Sequence, residues 1–222
     1  MTMIKPASLN FLKQIADNND RDWFQSHKDE YNAAREDVLN FTSHLLVELA
    51  KIDALIPVDL VAKNCLMRIY RDVRFSKNKA PYKTNFGIGI SANGKNFNGP
   101  GYYIHLQPKK SFIAAGYWMP EPNHLKAIRQ EIDYNSADFH AIIDNVSFKE
   151  CFGQLDQEDK LKTSPKGYLA EHADIEYLRL KSFLVTHDIQ DEKLSNTDTI
   201  PYIMGVFEKA CPLMIFLRNA IS

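Results

Sequence analysis

The sequence has few cysteines and none of the histidine spacings that hold a metal. Its three cysteines, Cys65, Cys151 and Cys211, lie far apart and form no CxxC pair. We therefore expect reduced, buried thiols in a cytosolic protein. The seven histidines form neither an HxxxH nor an HExxH motif. The sequence thus predicts no dedicated transition-metal site, and no motif in it indicates an organic cofactor.

Long apolar runs and excess charge are missing as well. No run approaches the roughly 18 apolar residues of a membrane span, and residues 1–10 lack the apolar core of a signal peptide. The net charge of −1 argues against a general coating of polyanions, so nucleic-acid binding is not expected unless the contact is local. The contents of hydrophobic residues (45%) and charged residues (25%) are those of an ordinary globular protein. We expect a cytoplasmic protein without a membrane segment.

The order of the predicted elements is typical of the α+β class. Helical periodicity dominates residues 1–60, and the sheet-bearing part is predicted in residues 61–222. Because short loops join the predicted strands, we expect one domain with an antiparallel sheet of about four to six strands, packed with helices from the N-terminal, central and C-terminal segments. Helices are predicted to begin near Ser8, Asp20, Asp29, Pro120, Ser136, Tyr177 and Thr197, and strands are predicted near residues 65–75, 86–91, 102–107, 112–118, 146–152 and 181–186.

A few residues are expected to shape these elements. Ser8, Asp20 and Ser136 are predicted to cap helices, because short polar side chains accept hydrogen bonds from the free N–H groups at a helix start. Pro212 is predicted to kink or split the last helix. The glycines in residues 86–91 (FGIGIS) indicate close approach of either a packed helix or a ligand. They do not form a dinucleotide fingerprint, which needs a third glycine and a helix directly after it.

The most distinctive feature is the segment of residues 65–84, CLMRIYRDVRFSKNKAPYKT, called here the basic segment. It holds six lysines and arginines against one acid, so its net charge is +5 in a chain whose net charge is −1. Alternation from Cys65 to Phe75 predicts a half-buried strand, and Pro81 predicts that regular pairing has ended in a loop.

The basic segment is predicted to bind an anion. Arg68, Asp72 and Arg74 would share one face of the strand, and arginine binds phosphate or carboxylate with two parallel hydrogen bonds. The other candidates in the segment are Arg71, Lys77, Lys79, Tyr82 and Lys83. If the protein is an enzyme, Arg68 and Arg74 would clamp the anion, and Lys79 or Tyr82 would transfer protons. Asp72 would then orient the arginines. No nucleophile–base pair is identifiable, so no reaction is assigned and enzymatic activity stays open.

Three residues outside the basic segment complete the candidate site. His105 lies on the polar face of a predicted strand, where it is either an acid–base group or a hydrogen-bonded histidine without a catalytic role. Lys166 and Tyr168 lie in a predicted loop, which is either a second wall of the same cleft or an ordinary surface loop.

The basic segment also carries a long motif, RxxRDxRFxxNKxxY, from Arg68 to Tyr82. This motif resembles the signature of a family of conserved hypothetical proteins defined as a domain of unknown function, DUF2461. An aspartate is equally acceptable at Asn78 in that signature, so no mandatory carboxylate is expected there. Further similar pieces are Asn18–Phe24, His27–Lys28, Pro81–Thr84, Gly101–Tyr103 and Pro165–Tyr168. The resemblance runs over nearly the whole chain and implies a protein of similar length, but it implies no activity.

Three hypotheses for the function follow. The first is a cleft that binds a small anionic ligand bearing phosphate or carboxylate. The second is a structural charge network in a protein-interaction domain, in which the cations pair with the chain's own acids. The third is a module that binds single-stranded nucleic acid through lysines interleaved with aromatic rings. The sequence does not indicate the oligomeric state.

Overall fold

The structure, a computed structural model, describes residues 3–222. Within these residues the chain forms ten helices and one four-stranded antiparallel sheet. The helices are α1 (Pro6–Asp17), α2 (Arg21–Ser26), α3 (Lys28–Ile52), α4 (Ala62–Cys65), α5 (Pro122–Tyr134), α6 (Ser136–Ile143), α7 (Val146–Phe152), α8 (Ile175–Leu178), α9 (Asp191–Leu194) and α10 (Thr199–Ala220). The strands are β1 (Phe86–Ile90), β2 (Gly101–Leu106), β3 (Phe112–Tyr117) and β4 (Phe183–Asp188).

The sheet is a meander whose spatial order, β1-β2-β3-β4, equals the order in the sequence. Short connections join β1 to β2 and β2 to β3, whereas a long connection with α5 to α8 precedes β4. Antiparallel neighbours with short connections are what the alternating sequence predicted. The α+β class and the antiparallel sheet are therefore confirmed, at the lower end of the predicted number of strands.

The chain divides into two compact units. The first comprises the residues up to Asn96 together with Tyr103–Ile113 and Asp188–Met204. The second comprises Phe97–Tyr102, Ala114–His187 and Gly205–Ser222. The predicted helical part, residues 1–60, thus shares a unit with β1. The assignment of the chain to a single domain stays a prediction.

In the first unit, α1 packs on α3 around a buried carboxylate. Asp37 accepts hydrogen bonds from the Ser8 hydroxyl at 2.7 Å and from the Lys5 backbone N–H at 2.9 Å. Ser8 therefore lies inside α1, and the prediction that it caps the helix is wrong. The helix begins at Pro6, because proline's fixed φ suits the first helical turn.

The start of α2 places an aromatic ring against the basic segment. Asp20 accepts a hydrogen bond from the Trp23 N–H at 2.9 Å, which confirms the predicted cap. Phe24 stacks on Tyr82 with the ring centroids 4.0 Å apart, and the Lys28 ammonium lies 4.9 Å from the Phe24 centroid. The ring of Tyr82 is thereby fixed in the core of the first unit.

In β1, the backbone at Gly87 is approached by side chains. A Cβ atom there would lie 2.8 Å from the Tyr103 hydroxyl oxygen and 3.1 Å from the Met67 sulfur. The close approach was predicted correctly, but it comes from a tyrosine on the neighbouring strand rather than from a helix or a ligand.

In the second unit, a histidine bridges two carboxylates. His140 Nδ1 lies 2.8 Å from Asp144, and His140 Nε2 lies 2.6 Å from the buried Asp174. The hydrogen bond to Asp174, followed by that to Asp144, raises the pKa of His140 above its ordinary value. Ser136 donates its hydroxyl to Asp174 at 2.6 Å, so the prediction that Ser136 caps a helix is wrong.

Residues 146–152 form the helix α7, and the predicted strand there is wrong. Asn145 decides the outcome, because its side-chain oxygen accepts hydrogen bonds from the N–H groups of Ser147 at 2.9 Å and Phe148 at 3.4 Å. The large apolar residues of this segment, Val146, Phe148 and Phe152, are spaced by two and then by four, so their periodicity could not distinguish a strand from a helix.

The last helix, α10, continues through Pro212 and is not split there. An internal proline costs about 3 kcal/mol. Burying a large apolar side chain contributes about 1.5–3 kcal/mol, and Phe207, Leu213 and Leu217 are all fully buried. Their burial offsets the loss.

The helix α10 has the length and the mean hydropathy, 1.5, of a segment that can cross a membrane. This is weak evidence, since a core helix passes the same test and 56% of the apolar window is buried. The absence of a membrane segment stays a prediction.

Candidate functional site

The basic segment is an extended excursion before β1, and the predicted strand over residues 65–75 is wrong. It forms only isolated antiparallel bridges, one between Leu66 and Ile88 and one between Tyr70 and Tyr82. The predicted alternation holds from residue 67 to residue 74, where even-numbered residues are exposed and odd-numbered ones are buried or half-buried. It is wrong at the two ends, since Leu66 is buried and Phe75 is exposed. The segment therefore has the side-chain pattern of a strand without its hydrogen-bonded ladder, because most of its pairing is with its own returning end.

Two cations of the basic segment close its loop. Arg71 Nη1 donates to the Ala80 carbonyl at 2.9 Å, and its Nη2 donates to the Ser76 hydroxyl at 3.4 Å. Lys79 Nζ donates to the Val73 carbonyl at 3.0 Å. Arg71 and Lys79 thus donate hydrogen bonds to oxygen atoms of the basic segment itself, and these bonds stabilise the closed conformation of its loop.

The predicted interaction between Asp72 and Arg74 exists, but it is exposed. Arg74 donates two hydrogen bonds to the Asp72 carboxylate, from Nε at 3.0 Å and from Nη2 at 2.7 Å. These bonds lower the pKa of Asp72, and Arg68 adds a smaller effect of the same sign through its charge. The Phe75 ring beside Arg74 is 96% exposed. Lys77 is exposed too, and it has no partner within residues 3–222.

Tyr82 is anchored through its backbone by a residue from the α1–α2 connection. Asn19 donates from Nδ2 to the Tyr82 carbonyl at 3.0 Å, and its Oδ1 accepts the Tyr82 N–H at 3.0 Å. Burial raises the pKa of the Tyr82 hydroxyl above its ordinary value. That direction does not suit the proton transfer predicted for Tyr82, which needs a pKa near neutral pH.

A cleft of about 350 Å³, called here the main cleft, opens beside this anchor. It is lined by Ala16, Asn19, Arg71, Asn78, Ala80, Tyr82, Lys83, Thr84 and Asn85. The charged members of this lining are Arg71 and Lys83, and none of these described residues is an aspartate or a glutamate. Two full positive charges exceed the opposing partial charge, about −0.5, at the C-terminal end of α1.

Lys83 is the unsatisfied cation of the main cleft. It is half-buried, and its ammonium has no hydrogen-bond or ion-pair partner in the described part of the chain. Burial, and to a lesser degree the guanidinium of Arg68, lowers the pKa of Lys83 below its ordinary value. Arg68 is exposed and also lacks a partner among residues 3–222. The cleft thus contains a desolvated positive charge, beside a like charge, with no carboxylate to compensate it.

The model of the family described as conserved hypothetical protein, DUF2461, matches residues 7–216. The chain belongs to this family. No curated protein and no solved structure is significantly similar to it.

In this DUF2461 protein, the polar lining of the main cleft includes four residues that were not predicted as site residues: Asn19, Asn78, Thr84 and Asn85. Asn19 lies in one of the pieces similar to the family, residues 18–24, so the motif contained a signal for it. Asn78 lies in the motif of residues 68–82 and Thr84 in the similar piece of residues 81–84, so the resemblance contained a signal for them too. Asn85 lies outside all of these pieces, and its residue type alone carried no signal.

His105 of the DUF2461 chain lies in a hydrogen-bond network and is not among the residues that line the main cleft. Its Nδ1 lies 3.1 Å from the Tyr103 hydroxyl, and its Nε2 lies 2.9 Å from Gln107 Oε1. The ring stacks on Phe112 at 4.8 Å. This network reaches the cleft wall at two residues, since Asn85 Nδ2 lies 3.4 Å from His105 Nδ1 and Gln107 Nε2 lies 3.5 Å from the Thr84 hydroxyl. Both ring nitrogens have partners, as in the non-catalytic alternative.

Lys166 and Tyr168 of the DUF2461 chain belong to the second unit. The Tyr168 ring meets the His172 ring edge-on at 5.9 Å, and burial raises the pKa of Tyr168. Lys166 has no partner in the described residues. Neither residue lines the main cleft. Their role as a second wall of the site stays a prediction.

The described part of the DUF2461 chain contains no group of three or more histidine, cysteine or acidic side chains with the geometry of a metal site. The three cysteines are free thiols.

Proposed function

We propose that this DUF2461 protein binds a small anionic ligand, bearing phosphate or carboxylate, in the main cleft. The observation that carries the proposal is the half-buried ammonium of Lys83, which lacks an acceptor and lies near the positive charge of Arg68. Desolvating a cation without a partner costs free energy, and a bound anion would recover it. The volume of about 350 Å³ lies in the range of small-molecule sites.

The alternative of a structural charge network accounts for some of the cations. Arg71 and Lys79 donate to backbone carbonyls, and Arg74 pairs with Asp72. It gives no role to Lys83, because a structural cation needs an acceptor. A role in binding single-stranded nucleic acid has less support, since Tyr82, one of its three aromatic rings, is 5% exposed.

The test measures binding of phosphates and carboxylates by thermal shift and by calorimetry, with wild type and two variants. We expect the wild type to be stabilised by at least one ligand, by about 2.7 kcal/mol when the ligand concentration is a hundred times Kd. Lys83→Met should raise Kd roughly 10- to 100-fold, because it removes a hydrogen bond to a charged group worth about 1.5–3 kcal/mol. Lys77→Met is the matched control, since it removes the same charge from an exposed lysine that does not line the cleft.

The stability of the unliganded variants separates the proposal from the structural alternative. Without ligand, the free energy of unfolding of Lys83→Met should be higher than that of the wild type or lower by no more than about 0.5 kcal/mol, because the variant loses only an uncompensated charge. A loss of more than about 1 kcal/mol would make Lys83 structural. The proposal fails if no anion in a broad panel shifts the wild type, or if Lys77→Met weakens binding as much as Lys83→Met.

A further inference from the structure

A second cleft opens next to the main cleft in the first unit. It has a volume of about 190 Å³ and shares two lining residues, Ala16 and Thr84, with the main cleft. Its other lining residues are Leu12, Lys13, Asp17, Gln107, Pro108 and Lys109. The two clefts therefore lie side by side along the end of α1, and a ligand longer than a single phosphate or carboxylate would reach from one into the other.

The second cleft also carries a net positive charge. The ammonium groups of Lys13 and Lys109 have no acceptor in residues 3–222, and one carboxylate, that of Asp17, lines the same cleft. Two cations exceed one acid in this lining, although the Asp191 carboxylate also lies beside Lys109, at its backbone N–H. Lys13 and Lys109 are exposed, so the shared groove has a half-buried cation at one end and exposed cations at the other.

Lys109 occupies a backbone position that favours glycine or asparagine. Its φ is +63°, in the left-handed region, at the turn between β2 and β3. The turn is held by the Lys109 N–H, which donates to both carboxylate oxygens of Asp191 at 3.0 Å. A side chain with a Cβ atom is strained in this region, and such strain is concentrated at functional sites. Lys109 also lines the second cleft, so a strained backbone position and a cation coincide there.

We propose that the ligand carries two anionic groups, one held by Lys83 in the main cleft and the other by Lys109 and Lys13 in the second cleft. This inference rests on the proposed function, because it extends the same site. It names the ligand class as a bis-anion, such as a bisphosphate or a phosphorylated carboxylate, and makes Lys109 a residue that selects it over a single anion. Asp17 would accept a hydrogen bond from a hydroxyl or an amine of the ligand near the second anionic group.

The experiment uses methylphosphonate as a single anion and alkylene bisphosphonates of increasing chain length as a molecular ruler. For the wild type, we expect one spacer length to bind at least about tenfold more tightly than methylphosphonate, because the second contact becomes intramolecular. Lys109→Asn should weaken that bisphosphonate about fivefold and leave methylphosphonate unchanged. Its melting temperature should not fall, because asparagine tolerates the left-handed backbone and retains the N–H.

The matched control is Lys110→Asn, which removes the neighbouring exposed lysine that lines neither cleft. It should leave both affinities at the wild-type value. Equal losses of bisphosphonate affinity in Lys109→Asn and Lys110→Asn would show general electrostatic attraction and overturn the inference. If methylphosphonate binds in a Lys83-dependent way but no bisphosphonate binds more tightly, this inference fails and the proposed function survives. If no phosphonate or other anion binds the wild type, both fail.

Discussion

Asn19 is expected to hold the basic segment in place, and replacing it tests how the main cleft is built. Its side chain makes two hydrogen bonds of 3.0 Å with the backbone of the buried Tyr82. Asn19→Ala removes both and leaves one N–H and one C=O group unpaired. Each unpaired group costs about 1–3 kcal/mol, less where water reaches it, so we expect a loss of about 2–4 kcal/mol. At about 2–4 °C for each kcal/mol in a chain of this size, the melting temperature should fall by about 4–16 °C.

The assay is urea denaturation followed by the fluorescence of Trp23. The chain has two tryptophans, and Trp118 is 73% exposed, so Trp118→Phe leaves Trp23 as a reporter on the helix next to Asn19. The midpoint should shift without a change in the denaturant slope. Asn18→Ala is the control, because that side chain donates only to a carbonyl of its own helix at an exposed site and should cost less than about 0.5 kcal/mol.

A second variant at the same position separates the two hydrogen bonds. Asn19→Asp keeps the acceptor for the Tyr82 N–H but loses the donor to the Tyr82 carbonyl. We expect a loss of stability, and we also expect weaker anion binding, since the carboxylate would line the main cleft. If Asn19→Ala unfolds with the same midpoint as Asn18→Ala, Asn19 does not hold the segment, and the wall of the main cleft does not depend on this anchor.

Two further predictions concern the second unit. The folded-state pKa of His140 is raised above its ordinary value of 6.5. The stabilisation that comes from its protonated form is therefore fully present below pH 6.5 and is lost as the pH rises through the folded-state pKa. The free energy of unfolding of the wild type should therefore exceed that of His140→Gln by a larger amount at about pH 5.5 than at about pH 9. The change in this difference between the two pH values should be less than about 1 kcal/mol, because the His140 side chain is 39% exposed. Equal differences at the two pH values, measured by urea denaturation, would contradict this. Gly116→Ala should cost more than about 3 kcal/mol, since its Cβ atom would lie 2.2 Å from the Phe183 carbonyl oxygen at a φ of +134°. Gly167→Ala, at a φ of +96° with open space around it, should cost only about 1 kcal/mol in the same assay, and similar losses for the two glycines would refute the steric explanation.

The first three strands could be predicted from the sequence because local rules decide them. Residues 86–90 and 101–106 alternate between apolar and small or polar side chains, and residues 112–117 form a short apolar run. Turn-rich stretches separate the three, and the structure forms a meander from them. Residues 146–152 could not be assigned in this way, because their large apolar residues, Val146, Phe148 and Phe152, are spaced by two and then by four and so fit neither period throughout. The side chain of Asn145 caps the start of α7 and so stabilises the helix rather than a strand.

The basic segment shows where sequence reasoning ends. The burial of alternate residues followed from the polarity pattern, whereas the absence of a ladder did not, because pairing depends on which strand lies alongside. The anchor of Tyr82 comes from Asn19, which is 63 residues away in the sequence. The partners of Arg71 and Lys79 are backbone carbonyls, which every residue carries and no sequence motif marks. The charge of the segment was therefore visible in the sequence, but the division of its cations between loop and cleft was not.

That division gives the net charge of the basic segment two separate meanings. A cation whose donors end on carbonyls adds stability to the loop, and Arg71 and Lys79 belong to this class. A half-buried cation without an acceptor, such as Lys83, costs free energy, and under the proposed function a bound anion would recover that cost. The exposed cations, Lys77 among them, are screened within about 8 Å at physiological salt. Under the proposed function, they would attract an anion towards the cleft and raise its rate of association more than its affinity. The structural and the ligand-binding hypotheses therefore concern different side chains of one segment. They predict opposite outcomes for Lys83→Met, which should lower the stability of the unliganded protein under the first hypothesis and weaken anion binding under the second.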